Sequence, residues 1–226
     1  MTSALRRLAR PKPAVPSAPV PSEPVPAEQS HERCEMCTAP IDEHQHSHVV
    51  HLEKRALMCT CRPCAMLFTE RGAAQGRYRA VPDRYLRDPG FSMSEMQWDE
   101  LQIPVRMAFF FHNSDLERPL AFYPSPAGAT ESLLPMDAWG GGLGGSALAR
   151  AMEFDVEALL LRKVGAVTEA LLVPIDVCYE LVGLVRMYWQ GFDGGGEAWE
   201  RIDAFFADLA GKARDLPAPG SSGPGS

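Results

Sequence analysis

The sequence predicts an α+β protein in which a small cysteine-rich module precedes an antiparallel sheet of paired hairpins packed by two C-terminal helices. Three observations predict it. Five of the six cysteines and four of the six histidines fall between Cys34 and Cys64. Further on, apolar runs come in pairs separated by turn residues, IPVRMAFFFH before LAFYPSP and DVEALLLR before TEALLVPI. Near the C-terminus the apolar residues change to helical spacing, the mark of stripes that pack on a sheet.

A chain of 226 residues, 46% of them hydrophobic, can bury the core of one good-sized domain or of one domain plus a small satellite. The formal charge is -7; Arg6, Arg7, Arg10 and Lys12 against Glu23 and Glu28 make residues 1–30 +2 and leave -9 on the rest. An acidic body is unsuited to phosphate backbones, so no nucleic-acid partner is expected. MTSALRRLARPKP interrupts itself with arginines before any apolar run of export-signal length, and no stretch approaches the roughly 18 apolar residues of a membrane span. The expected setting is cytoplasmic, without membrane insertion. In a reducing compartment, closely spaced cysteines are metal ligands rather than a disulfide framework.

Residues 11–30 alternate proline with small residues, and residues 1–30 read as a disordered arm, a docking tether or a plain linker. Residues 31–75 form the cysteine-rich module, residues 76–214 the α+β domain, and 215–226, ending PAPGSSGPGS, a second disordered tail. In the α+β domain, residues 103–112 turn at NSDLERP into the next strand, and residues 155–162 turn at KVGAV. A helix over about 177–190, with Asp176 as cap candidate, places Val177, Leu181, Leu184, Val185 and Tyr188 on one face. The last helix, about 197–212, aligns Trp199, Ile202, Phe205, Phe206 and Leu209. GGGLGGS, residues 140–146, lacks the Lys-Ser/Thr of a phosphate loop and reads as a flexible loop.

Cys34 and Cys37 are spaced C-x2-C, and Cys61 and Cys64 repeat the spacing. Each short turn can aim two sulfurs at one ion, so the four together match a structural tetrahedral thiolate site for zinc. CRPCAMLF after the second strand reads as a helix with Pro63 in its first turn, where a missing N–H costs nothing, and its free N–H groups would face the sulfurs. HSHVVHLE and ALMCTC read as two strands of a hairpin. Knuckle, hairpin, helix is an order that resembles a treble-clef zinc module. Cys59 lies on the second strand, on the same side as Cys61, and is the alternative to it as ligand. His46 and His48 share a strand face and could hold a second ion with Cys59, or serve as solvated or supporting residues.

Iron is the alternative metal, since four thiolates admit both. The rubredoxin-like arrangement, however, has glycine after each cysteine pair, where this chain has Thr38 and Ala65. The same two residues exclude a c-type haem, which needs C-x-x-C-H. A second nearby pair argues against a thioredoxin-type dithiol, and no H-x-E is spaced for a zinc deaminase. Four cysteines leave no open position, so a catalytic zinc is not expected there. Elsewhere, His112 and Glu131 could meet across the first hairpin as an acid–base pair or be solvated strand-end residues. Cys178, near a helix start, is either an activated thiol or a small buried residue.

RCEMC, HQHSH, CTCRPCAMLF, YRAVPDRY, IPVRMAFFFH, AFYPSPAGATESLL, LLVPIDVCYELVGLVRMYWQGF and GEAWERIDAFFADL together resemble an uncharacterised family of actinobacterial proteins. The resemblance spans about residues 31–212 and departs at GGGLGGS, where a more helical stretch is implied. Cys34, Cys37, Cys61 and Cys64 match the family's cysteine positions. Members are often encoded beside nickel-iron hydrogenases, which implies an accessory role with a hydrogenase subunit or maturation factor as protein partner. The expectation is a non-catalytic, zinc-stabilised accessory or binding protein; the alternative is a rubredoxin-like Fe(Cys)4 electron-transfer protein.

Overall fold

The computed structural model describes residues 32–42, 46–133 and 139–216. The arm expected over residues 1–30 and most of the 215–226 tail lie outside them. The described residues form one compact unit of mixed α+β structure built on two sheets.

The first sheet grows from the Val-rich hairpin. Strands β1 (Ser47–His51) and β2 (Ala56–Thr60) pair antiparallel, with His48 opposite Cys59 and Val49 opposite Met58. β2 runs directly into helix α1 (Arg62–Met66), which Cys61 enters in extended conformation with Pro63 in the first turn. Strand β3 (Tyr78–Ala80) then adds to the free edge of β1, giving the order β2-β1-β3.

The second sheet has seven strands: β4 (Leu86–Arg87), β5 (Met107–Asn113), β6 (Arg118–Ser125), β7 (Gly128–Ser132), β8 (Glu157–Val164), β9 (Val167–Pro174) and β10 (Arg214–Asp215). Their order is β10-β4-β9-β8-β5-β6-β7, antiparallel except for the β10–β4 pair. Gly165, at φ +59°, opens the two-residue turn between β8 and β9, the geometry whose twist matches the strands it joins. Because β8 and β9 lie mid-sheet and are covered on both faces, they read as continuous apolar runs rather than alternating ones.

Register aligns one core row on each face. Phe122, Phe109, Leu160 and Leu171 run across one face; Ala121, Phe110, Leu159, Leu172 and Leu86 run across the other. The first is covered by α4 (Ile175–Tyr188) and α5 (Gly195–Lys212) through Val177, Leu181, Val185, Ile202, Phe206 and Leu209. Val50 of β1 joins the same core, so the small sheet packs on the large one. Both C-terminal helices stand where apolar spacing put them. The α4 stripe is rotated, however: Cys178 and Val182 are buried, whereas Leu184 and Tyr188 are only partly so.

The opposite face is covered by elements too short to show helical periodicity. These are α2 (Glu95–Glu100), α3 (Ala147–Ala151) and the turn at Trp139–Leu143, with Trp98, Leu101, Leu143 and Leu148 inserted into the core. Ser94 and Gln97 form a capping box that starts α2, and Ser146 caps α3. GGGLGGS is therefore not a free loop. Leu143 is fully buried, and Gly144 lies under the Trp139 indole, where an added Cβ would come within 2.6 Å of the ring nitrogen. Asp176 likewise is not the cap of α4; it sits inside the first turn, where one carboxylate oxygen accepts the Val177 N–H.

Candidate metal centre

Cys34 to Thr38 form a tight turn in which the Thr38 N–H donates to the Cys34 carbonyl at 2.8 Å. Thr38 takes φ +61°, a left-handed conformation uncommon for a β-branched residue. Its hydroxyl donates to the Cys37 carbonyl, and Arg33 donates to the Thr38 carbonyl. The turn is tied to the hairpin by two bonds: Glu35 N–H to the Cys59 carbonyl at 2.9 Å, and Cys59 N–H to the Glu35 carboxylate at 2.7 Å. Across from it, Cys61 precedes α1 and Cys64 sits in its first turn.

These two turns bring the sulfurs of Cys34, Cys37, Cys61 and Cys64 within 4.8 Å of one another. All four are free thiols. Cys37 and Cys61 approach to 3.7 Å, far beyond a disulfide bond and close to the about 3.8 Å edge of a tetrahedron with metal–sulfur bonds of about 2.3 Å. The donor set and spacing fit a four-coordinate thiolate site.

Charge crowding shows in the thiols themselves. Burial alone would raise Cys34, but hydrogen bonds from the backbone N–H groups of Cys61, Cys37 and Met36, with the Cys37 thiol, outweigh it and hold Cys34 down at about 6. Cys64 is pushed up to about 12 by the thiols of Cys61 and Cys37 and by burial. For Cys37, the Ala39 N–H lowers the thiol, but the sulfurs of Cys34 and Cys61 prevail and raise it. One sulfur thus ionises readily and its neighbours then resist, the pattern that a bound dication removes by stabilising every thiolate at once.

Cys59 lies apart from this set. Its thiol is directed to His46 and His48, and a ligand atom of each of the three falls within 4.8 Å of the others. Burial, together with the carboxylates of Glu32, Glu35 and Asp176, pushes the Cys59 thiol up. His48 reaches 128 residues along the chain to Asp176, its Nδ1 2.6 Å from the carboxylate. Strand spacing put His46, His48 and Cys59 on one face; only the packing of α4 on the sheet supplied Asp176.

A family model covers residues 33–213 and is described as a family of unknown function, DUF5947. The chain belongs to that family. The match includes all four clustered cysteines together with His46, His48, Cys59 and Asp176, so both ligand groups fall inside the family region. No curated protein and no solved structure matches the chain.

The remaining candidates do not assemble. His112 and Glu131 are on opposite faces of the large sheet: Glu131 pairs with Phe122 and borders a cavity of about 310 Å³ with Phe111 and Tyr179, whereas His112 stacks on Phe154 at 3.9 Å. Glu131 is instead 3.5 Å from Arg118. Cys178 is fully buried in the α4 core, and burial drives its thiol well above the ordinary value, which removes it as a nucleophile. No helix among the described residues is long and apolar enough to cross a membrane.

Proposed function

We propose that this protein is a non-catalytic accessory or binding protein whose cysteine-rich region is held by one structural zinc ion on Cys34, Cys37, Cys61 and Cys64. The observation that carries this reading is the convergence of four free sulfurs from two C-x2-C turns, with one S–S separation at the edge length of a zinc–thiolate tetrahedron. Zinc would cross-link the Cys34–Thr38 turn to the start of α1 and fix the hairpin between them. With all four positions filled by protein, it would stabilise structure and activate no water.

The asymmetry of the two turns favours zinc over iron. In a rubredoxin-like centre both pairs lie on matching turns, whereas here the second pair opens a helix, in the manner of a treble clef. A partner surface has support beside the metal: Met66 and Leu67, at the end of α1, are 71% and 68% exposed. Apolar side chains this open, next to a rigid cross-link, are suited to contact another protein. The partner class implied by the family resemblance is a nickel-iron hydrogenase subunit or maturation factor.

The test is the metal content and visible spectrum of the full chain produced in iron-replete medium, with serine variants of each cysteine. Colourless protein with zinc, of which Cys34→Ser, Cys37→Ser, Cys61→Ser and Cys64→Ser each lose one ion per chain, supports the reading. Red, iron-loaded protein overturns it in favour of electron transfer. Affinity capture with the tagged full chain, compared with Met66→Glu/Leu67→Glu, tests the partner: hydrogenase components held by the parent and lost by the variant are expected.

A further inference from the structure

We infer that His46, His48 and Cys59 form a second metal site, for a zinc-class divalent cation, with Asp176 orienting one of its ligands and one coordination position left for an outside ligand. The inference begins with proton counting on the two imidazoles. His46 and His48 face each other through their Nε2 atoms at 3.1 Å. His46 Nδ1 lies 3.2 Å from the Asp42 carbonyl oxygen, which can only accept, so Nδ1 carries the proton. His48 Nδ1 lies 2.6 Å from the Asp176 carboxylate, which also accepts, so there too the proton is on Nδ1. In the neutral rings both Nε2 atoms then present lone pairs to each other.

Two lone pairs at that distance repel unless a cation lies between them. Bonds of about 2.0–2.1 Å from a tetrahedral zinc to two imidazoles put their nitrogens about 3.3–3.4 Å apart, close to the separation seen. The third donor is in place as well. Cys59 is the cross-strand partner of His48, which puts both side chains on one face of the hairpin, and its sulfur lies within 4.8 Å of the imidazole donors. Two imidazoles and a thiolate suit zinc and similar borderline cations.

The surroundings match a metal-binding histidine in two further respects. The His48–Asp176 pair is the carboxylate–histidine arrangement that fixes a ring and raises the basicity of its metal-binding nitrogen. The carboxylates of Glu32, Glu35 and Asp176, which act on Cys59, also favour a cation beside it. The two sites share no ligand. Three protein donors, rather than four, separate this site from the closed thiolate centre and make it the one open to an outside ligand or to metal exchange.

Native mass spectrometry of the full chain during Zn2+ addition, paired with Co2+ absorption spectra, tests the inference. Two metal ions per chain are expected, with only one in His46→Ala, His48→Ala and Cys59→Ser. Cys59→Ser should also remove one thiolate-to-cobalt charge-transfer contribution while leaving that of the first ion. Asp176→Asn should retain the first ion and weaken the second about 10–100-fold. Because every one of these variants is checked for its first ion, loss through misfolding is distinguished from loss of the second site. A parent chain that takes up one ion only, or variants that still bind two, would overturn the inference and leave a shared proton between the two imidazoles.

Discussion

Thr38 shows how much a single backbone angle can reveal about the turn that carries Cys34 and Cys37. Its φ of +61° is a conformation that glycine adopts freely and a β-branched residue does not. Thr38→Gly should therefore stabilise the metal-loaded protein by about 1 kcal/mol, after some loss from the hydroxyl bond to Cys37, and leave metal content unchanged. A lower denaturation midpoint would show that the hydroxyl outweighs the strain. Cys34 sets a second residue-scale expectation. Its folded thiol is held below the ordinary 9.0, at about 6, so its contribution to stability without metal is complete above pH 9.0, declines as pH falls, and is gone below about 6. Chemical denaturation of the chelated chain from pH 9 to 5 should show that decline, and Cys34→Ser should flatten it. Metal binding requires the same deprotonation, so acidification should also release the ion.

At the scale of elements, the segment YRAVPDRY joins the two sheets and carries an ion pair that no local pattern announces. Arg84, between β3 and β4, holds fully buried Glu157 of β8 through two bonds of 2.8 and 2.5 Å, and also donates to the Ala151 carbonyl. Arg84→Ala would strand a buried carboxylate and should cost about 3 kcal/mol, the low end for such pairs because the arginine is partly exposed. Adding Glu157→Gln should recover part of that loss in a double-mutant cycle; equal losses in the single and double variants would sink the account. The hairpins and the two long helices were legible because their apolar runs carry periods of their own. The coverage of the second sheet face was not, since α2 and α3 span only 6 and 5 residues and Leu143 sits in a glycine-rich turn. Helical periodicity needs about two turns to show itself.

For the whole molecule, the question is how far the proposed metal would support more than its own turns. The large sheet has its own core on both faces, whereas the β2-β1-β3 sheet adds to it only Val50 as a buried residue, with Leu57 partly buried beside it. Removing metal with a chelator should therefore raise amide exchange over residues 32–80 while β5, β8 and β9 keep their protection. Global loss of protection would instead make the proposed zinc a condition for folding the entire chain. The α+β class, the hairpin pairs and the grouping of the four cysteines were legible from the chain alone, because C-x2-C spacing and strand or helix periods are local properties. That Cys59 groups with His46 and His48 rather than with those sulfurs, that His112 and Glu131 are on opposite faces, and that Asp176 meets His48 follow from the packed fold and from no local pattern. Contacts across 128 residues depend on how α4 docks against the sheets, and that docking is set by the sum of many packed side chains rather than by any spacing in the sequence.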